Sequence, residues 1–93
     1  MHGEYKTPGG KLVVADFVVE EGRLRRIRVS GDFFLYPEEA LAAIDGALEG
    51  AAASDDEAAL AARIAAALAP EVTMLGFSPE AVAKAVRRGL GDA

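Results

Sequence analysis

The side chains that could do chemistry in this chain are few, and their spacing suits none of the common reactions. There is one histidine, His2, at a terminus expected to be mobile and free of function. With no cysteine and no second histidine, the usual pairing of a nucleophile with a base is absent. Ser30, Ser54 and Ser78 have no base near them in sequence. Ser54 and Ser78 instead stand before helix-patterned stretches, where a hydroxyl caps backbone amides. The run Asp55-Asp56-Glu57 and the pair Glu38-Glu39 could be imagined holding a metal. Both fall at helix starts, where carboxylates complement the positive end of the helix dipole, and neither has calcium-loop spacing. No catalytic residue and no metal ligand is expected.

Two basic stretches need the same weighing. "TPGGKLV", from Thr7 to Val13, invites comparison with a phosphate-binding loop. That loop needs a glycine where this chain has Tyr5 and a serine or threonine where it has Leu12, and it leads into a helix rather than a strand. Pro8-Gly9-Gly10 therefore reads as a turn, and Lys11 as an accessible cation that could meet an acidic partner group. "RLRRIR", from Arg23 to Arg28, has no interleaved aromatics on which bases could stack. It reads as a solvated strand face.

Ninety-three residues with net charge −5 make one domain, residues 1–93. An acidic chain disfavours nucleic acid as a partner. The charge is uneven: residues 1–31 carry six Lys/Arg against four Asp/Glu, whereas residues 32–93 carry four against eleven. No apolar run approaches a membrane span, and no basic segment with an apolar follower opens the chain. The expectation is a cytoplasmic protein without a membrane partner.

The elements follow from periodicity. In residues 11–20 the odd positions Val13, Ala15, Phe17 and Val19 are apolar, which is one buried strand face. Glu21-Gly22 supplies a two-residue turn into a second strand over residues 23–31. Unbroken pairing from Glu20 opposite Arg23 would carry Arg26 onto the apolar face. One extra residue near Arg25-Arg26, a β-bulge, restores Phe17 to Ile27, Asp16 to Arg28 and Ala15 to Val29, with Arg26 opposite Val18. Glu20/Arg23 and Asp16/Arg28 then form opposite-charge pairs. A short strand is expected over residues 4–7. Three helices come next. The first begins at Pro37, with the stripe Leu41, Ile44, Leu48 and a stop at Gly50. The second is capped by Ser54 in a box with Glu57, with the stripe Leu60, Ile64, Leu68. The third is capped by Ser78, with Phe77 and Val82 at staple spacing. Gly50-Ala51-Ala52-Ala53 is the one linker-like piece. The pattern predicts an α+β fold: a small antiparallel β-sheet, the hairpin plus a short strand, packed against three C-terminal helices.

Apolar residues are left over. Leu12, Val14 and Val18 fall on the wet face of the sheet. Phe33 and Phe34, as neighbours on an extended chain, point to opposite sides, so one core cannot take both. A covered surface is expected, shielded by the chain's own N-terminal segment or by another chain.

Lys6 with Pro8-Gly9-Gly10-Lys11-Leu12, the hairpin ending in Ser30-Gly31-Asp32-Phe33-Phe34, and Pro37-Glu38-Glu39 resemble the accessory, or C-terminal, domain of lipoate–protein ligases. The Leu48-Glu49-Gly50 break and the Gly76-Phe77-Ser78-Pro79-Glu80 restart are similar to that family too. The resemblance implies a stand-alone accessory subunit or an excised domain. Its catalytic partner would form lipoyl-AMP from lipoate and ATP, with Mg, before transfer to a lysine of a lipoyl acceptor domain. It implies a heterodimer in which this chain binds no cofactor alone. Lys6, Pro8, Gly9, Gly10, Lys11, Gly31, Asp32, Phe33 and Phe34 would carry the motif or the interface, Asp32 binding turn or helix-start amides or a partner cation and Lys11 approaching the partner's nucleotide. A free-standing module for an acidic or lipoylated carrier protein is the alternative.

Overall fold

The computed structural model describes residues 1–92. The elements run β1 (His2–Lys6), β2 (Leu12–Glu20), β3 (Arg23–Gly31), β4 (Phe34–Tyr36), α1 (Ala40–Leu48), α2 (Glu57–Ala67), β5 (Thr73–Leu75) and α3 (Pro79–Gly89). The fold is α+β, as the pattern predicts. An antiparallel sheet has β2 between β1 and β3, and the helices cover one face. There α3 crosses β1 and β2, α1 lies against β3, and α2 packs on the other two helices. Val13, Ala15 and Phe17 of β2 and Leu24, Ile27 and Val29 of β3 all enter the core.

The bulge is present. Pairing runs from Glu20↔Arg23 to Val18↔Arg25, shifts, and resumes at Asp16↔Arg28. Arg26 is the extra residue, with φ 55°. It is therefore Arg25, not Arg26, that faces Val18. Once Arg26 is set aside in the left-handed region, alternation delivers Ile27 and Val29 inward. The two opposite-charge pairs are in register but do not form ion pairs. Arg23 donates to the Gly50 carbonyl at 3.0 Å, and Asp16 bonds His2 at 2.6 Å.

The free edge of β3 is closed by α1 and by the segment after that helix. Glu49 accepts from the Arg26 and Ile27 amides at 3.2 Å, and Asp45 accepts from the Val29 amide at 2.9 Å. Gly50 donates to Leu24 at 2.7 Å, Leu24 to Ala51 at 2.8 Å, and Ala53 to Gly22 at 2.8 Å. The stretch expected to be a linker is thus an edging strip for the sheet, which leaves no bare strand edge there to recruit another chain. The same strip displaces the second helix start. Because Ala52 and Ala53 are tied to β3, Ser54 is not the cap. Asp56 is, accepting from Ala59 N at 2.8 Å.

Other expectations shift by a few residues. The short strand is His2–Lys6 rather than residues 4–7. Pro37, Glu38 and Glu39 form a turn before the regular helix, which begins at Ala40. Ala40 is buried, and Leu41 half-buried. Ser78 caps α3 as expected, accepting from Ala81 N at 3.1 Å with Pro79 in the first turn.

Two glycines let β1 and α3 meet almost backbone to backbone. A Cβ on Gly3 would lie 1.9 Å from the Ala85 carbonyl oxygen and 2.4 Å from Gly89 N. One on Gly89 would lie 2.8 Å from the Phe17 ring. Neither backbone can move aside without leaving the core, so Gly3→Ala is expected to cost about 3 kcal/mol or more in urea unfolding.

Asp45 gives a second test. Its carboxyl is raised above 3.8, chiefly by burial, with the Val29 hydrogen bond opposing. A folded value above the unfolded one makes the ionised carboxylate a net cost to folding, relieved as pH falls through the raised value towards 3.8. Asp45→Asn, which still accepts from Val29, should match or exceed the parent in melting temperature at neutral pH, the advantage shrinking on acidification. Asp45→Ala orphans the Val29 amide and should lose about 1–2 kcal/mol.

Candidate functional site

Two glycine-containing turns meet at one end of the sheet, with Gly76 beside the first. The β1–β2 turn is closed by Gly10 N to the Thr7 carbonyl at 2.8 Å and by Thr7 N to the Lys11 carbonyl at 2.8 Å. Gly10 takes φ 88°, the left-handed position of a three-residue hairpin loop, which accounts for the second of the two glycines. Pro8 and Gly9 are exposed at its tip, and Lys6 is exposed opposite Leu12. Lys11 is half-buried: its aliphatic stem lies against Gly76, where a Cβ would sit 2.6 Å from Lys11 Cγ, while its ammonium makes no ion pair among the described residues.

Gly31 and Asp32 form the second turn. Gly31 adopts φ 154°, and a Cβ there would stand 2.1 Å from the Leu12 carbonyl oxygen. Asp32 Oδ1 accepts from the Leu12 amide at 2.6 Å, and Asp32 N donates back to Leu12 at 3.2 Å. Asp32 thus finishes the β2–β3 ladder with its side chain. The partner it finds is a strand amide, not a helix-start amide.

This clamp decides the two phenylalanines. Phe33 turns inward and stacks on Phe77, with centroids 3.8 Å apart and planes 22° from parallel. Phe34 points outward and is 71% exposed. β4 and β5 pair as Phe34↔Leu75, Leu35↔Met74 and Tyr36↔Thr73. Period-2 alternation splits this ribbon. Leu35 and Met74 pack on the core, while Phe34, Tyr36 and Leu75 share the outer face, the last two 74% and 58% exposed. Open grooves flank Phe34. One runs past Ser30, Phe33 and Leu41, and the other past Tyr36, Pro37, Glu39 and Leu75, with Glu38 bordering both.

Sequence reasoning singled out Phe34 but missed Tyr36 and Leu75. Two three-residue strands separated by two helices leave no periodic signal long enough to read. The only hint was the cluster of aromatics at Phe33, Phe34 and Tyr36.

His2 and Arg87 each hold elements of the fold together. His2 is not mobile. Its ring lies between Glu4 and Asp16, each at 2.6 Å, and its pKa is raised above 6.5 by the Glu4 hydrogen bond first and the Asp16 one second. It favours folding below 6.5, and that contribution is lost as pH rises through the raised value. Arg87 joins α3 to the carbonyls of Ala53 and Asp55, at 2.9 and 3.1 Å, and to the Asp92 carboxylate. Among the described residues no cluster of acidic or histidine side chains is placed to hold a metal, and no helix is long and apolar enough to cross a membrane. What the geometry offers is a rigid apolar surface.

No family model and no curated protein matches the sequence. In structure the chain is similar to one from an archaeal lipoylation system of Thermoplasma acidophilum, described as a bi-partite lipoate protein ligase and its E2 lipoyl domain. The TM-score is 0.70 at 24% identity, over 94% of this chain and 98% of that one. The two share a fold.

The packing predicts a sharp contrast between neighbours. Phe33→Ala removes a ring stacked on the core and should cost about 2–4 kcal/mol in chemical unfolding. Phe34→Ala removes a ring from solvent and should stay within about 0.5 kcal/mol of the parent.

Proposed function

We propose that this chain is the non-catalytic accessory partner of a lipoate–protein ligase, docking on a separate catalytic chain and promoting its ATP-dependent activation of lipoate. The observation that carries the reading is the likeness in fold to a chain of a bi-partite ligase system along nearly the whole of both chains. The Gly31-Asp32-Phe33-Phe34 turn, to which the family resemblance pointed, supports it by presenting an aromatic to solvent on a clamped backbone. Large aromatics on rigid backbone are the usual anchors of protein interfaces.

In this reading ATP, magnesium and lipoate belong to the partner. The grooves beside Phe34 are open and bordered by Glu38 and Glu39, whose charge would repel a nucleotide's phosphates. This chain's contribution is binding free energy, spent on the partner's adenylation-competent conformation over its resting one. Lipoyl acceptor domains are then met by the assembled pair.

The test mixes this chain with the ligase catalytic chain of the same organism, lipoate, ATP and magnesium, and measures pyrophosphate release. Acceleration of at least tenfold, saturating at one chain per catalytic chain, is the expected result. An unchanged rate overturns the reading.

A further inference from the structure

We propose that the outer face of the β4–β5 ribbon, made by Phe34, Tyr36 and Leu75 with Glu38 and Glu39 at its border, seats in an apolar socket rimmed by lysine or arginine on the catalytic partner. The inference rests on the accessory reading above. It adds the anchoring side chains and the chemistry of the surface that receives them.

The first argument is exposed apolar area. Phe34, Tyr36 and Leu75 stand 71%, 74% and 58% exposed on one face of a two-stranded ribbon. Together they show on the order of 400 Å² of largely apolar surface, as large as the main patch of a typical monomer and often functional at that size. The second argument is rigidity. Leu35 and Met74 hold the underside of the ribbon to the core, and the Phe33–Phe77 stack fixes the turn that leads into it. A backbone already held in place loses little freedom on binding.

The third argument is charge, which chooses among occupants. Glu38 and Glu39 are exposed and line the groove that also holds Phe34, Tyr36 and Leu75. Neither forms an ion pair among the described residues. A second copy docking through the same face would set Glu38 and Glu39 against their own equivalents. A partner with basic residues around an apolar centre meets both features at once.

The experiment is calorimetric titration of the catalytic chain with the parent chain and variants, at two salt concentrations, with amide NMR spectra verifying each fold. Phe34→Ala and Leu75→Ala are each expected to weaken binding at least tenfold with unchanged spectra. Glu38→Lys with Glu39→Lys should weaken it further at low salt than at high salt. If the parent chain binds and accelerates adenylation but the alanine variants bind equally well, this inference is overturned and the accessory reading stands. If the parent chain does not bind, the accessory reading falls and takes the socket with it. Sedimentation of the chain alone supplies one more overturning outcome, a self-association that Phe34→Ala abolishes.

Discussion

The carboxylate of Glu49 accepts from the amides of Arg26 and Ile27 at the point where β3 carries one residue more than β2. Much of the molecule depends on that contact. A strand alternates its faces with period two, so one residue gained or lost exchanges core for solvent along the rest of its length. With Arg26 set aside, Ile27 and Val29 join Leu24 in the core, Gly31 pairs with Val13, and Asp32 arrives where Leu12 can clamp it. The two amides the bulge leaves unpaired are satisfied by the end of α1, which also pins that helix to the sheet. Local irregularity and helix placement are thus one device.

A second constraint, the close approach of β1 and α3 at Gly3 and Gly89, sets the thickness of the molecule at the opposite edge. Since α3 lies this low on the sheet, its cap at Ser78 brings Phe77 down to Phe33. The stacked pair then ties the end of the hairpin to the start of the last helix. From that junction β4 leaves in a defined direction, and β5, arriving just before Gly76, pairs with it. The exposed ribbon is therefore held at its base by contacts from distant parts of the chain. This is the construction expected of a surface that acts by being presented rather than by moving.

The acidic and apolar features of the surface have different origins. Four carboxylates answer backbone needs: Asp32 a strand end, Asp45 and Glu49 a strand edge, Asp56 a helix start. The Glu38 and Glu39 side chains answer none, and they lie beside the ribbon. Likewise, single half-exposed apolar residues such as Val14 are ordinary on a sheet face, whereas Phe34, Tyr36 and Leu75 are grouped.

Parity and capping chemistry were legible in the residues themselves. The alternation in β2, the need for a bulge, the Ser78 cap with Pro79, and the conflict between Phe33 and Phe34 all arise between residues close in sequence. Such interactions are local or period-bound, and a sequence states them directly. Which phenylalanine turns inward was decided by Phe77, far along the chain, and by the Leu12 clamp on Asp32. The shift of the second helix start from Ser54 to Asp56 was decided by the edge of β3. The pairing of Phe34 with Leu75, and with it the outer face of the ribbon, exists only once three helices have packed. No local preference specifies such a contact, because its stability comes from the assembled core beneath it.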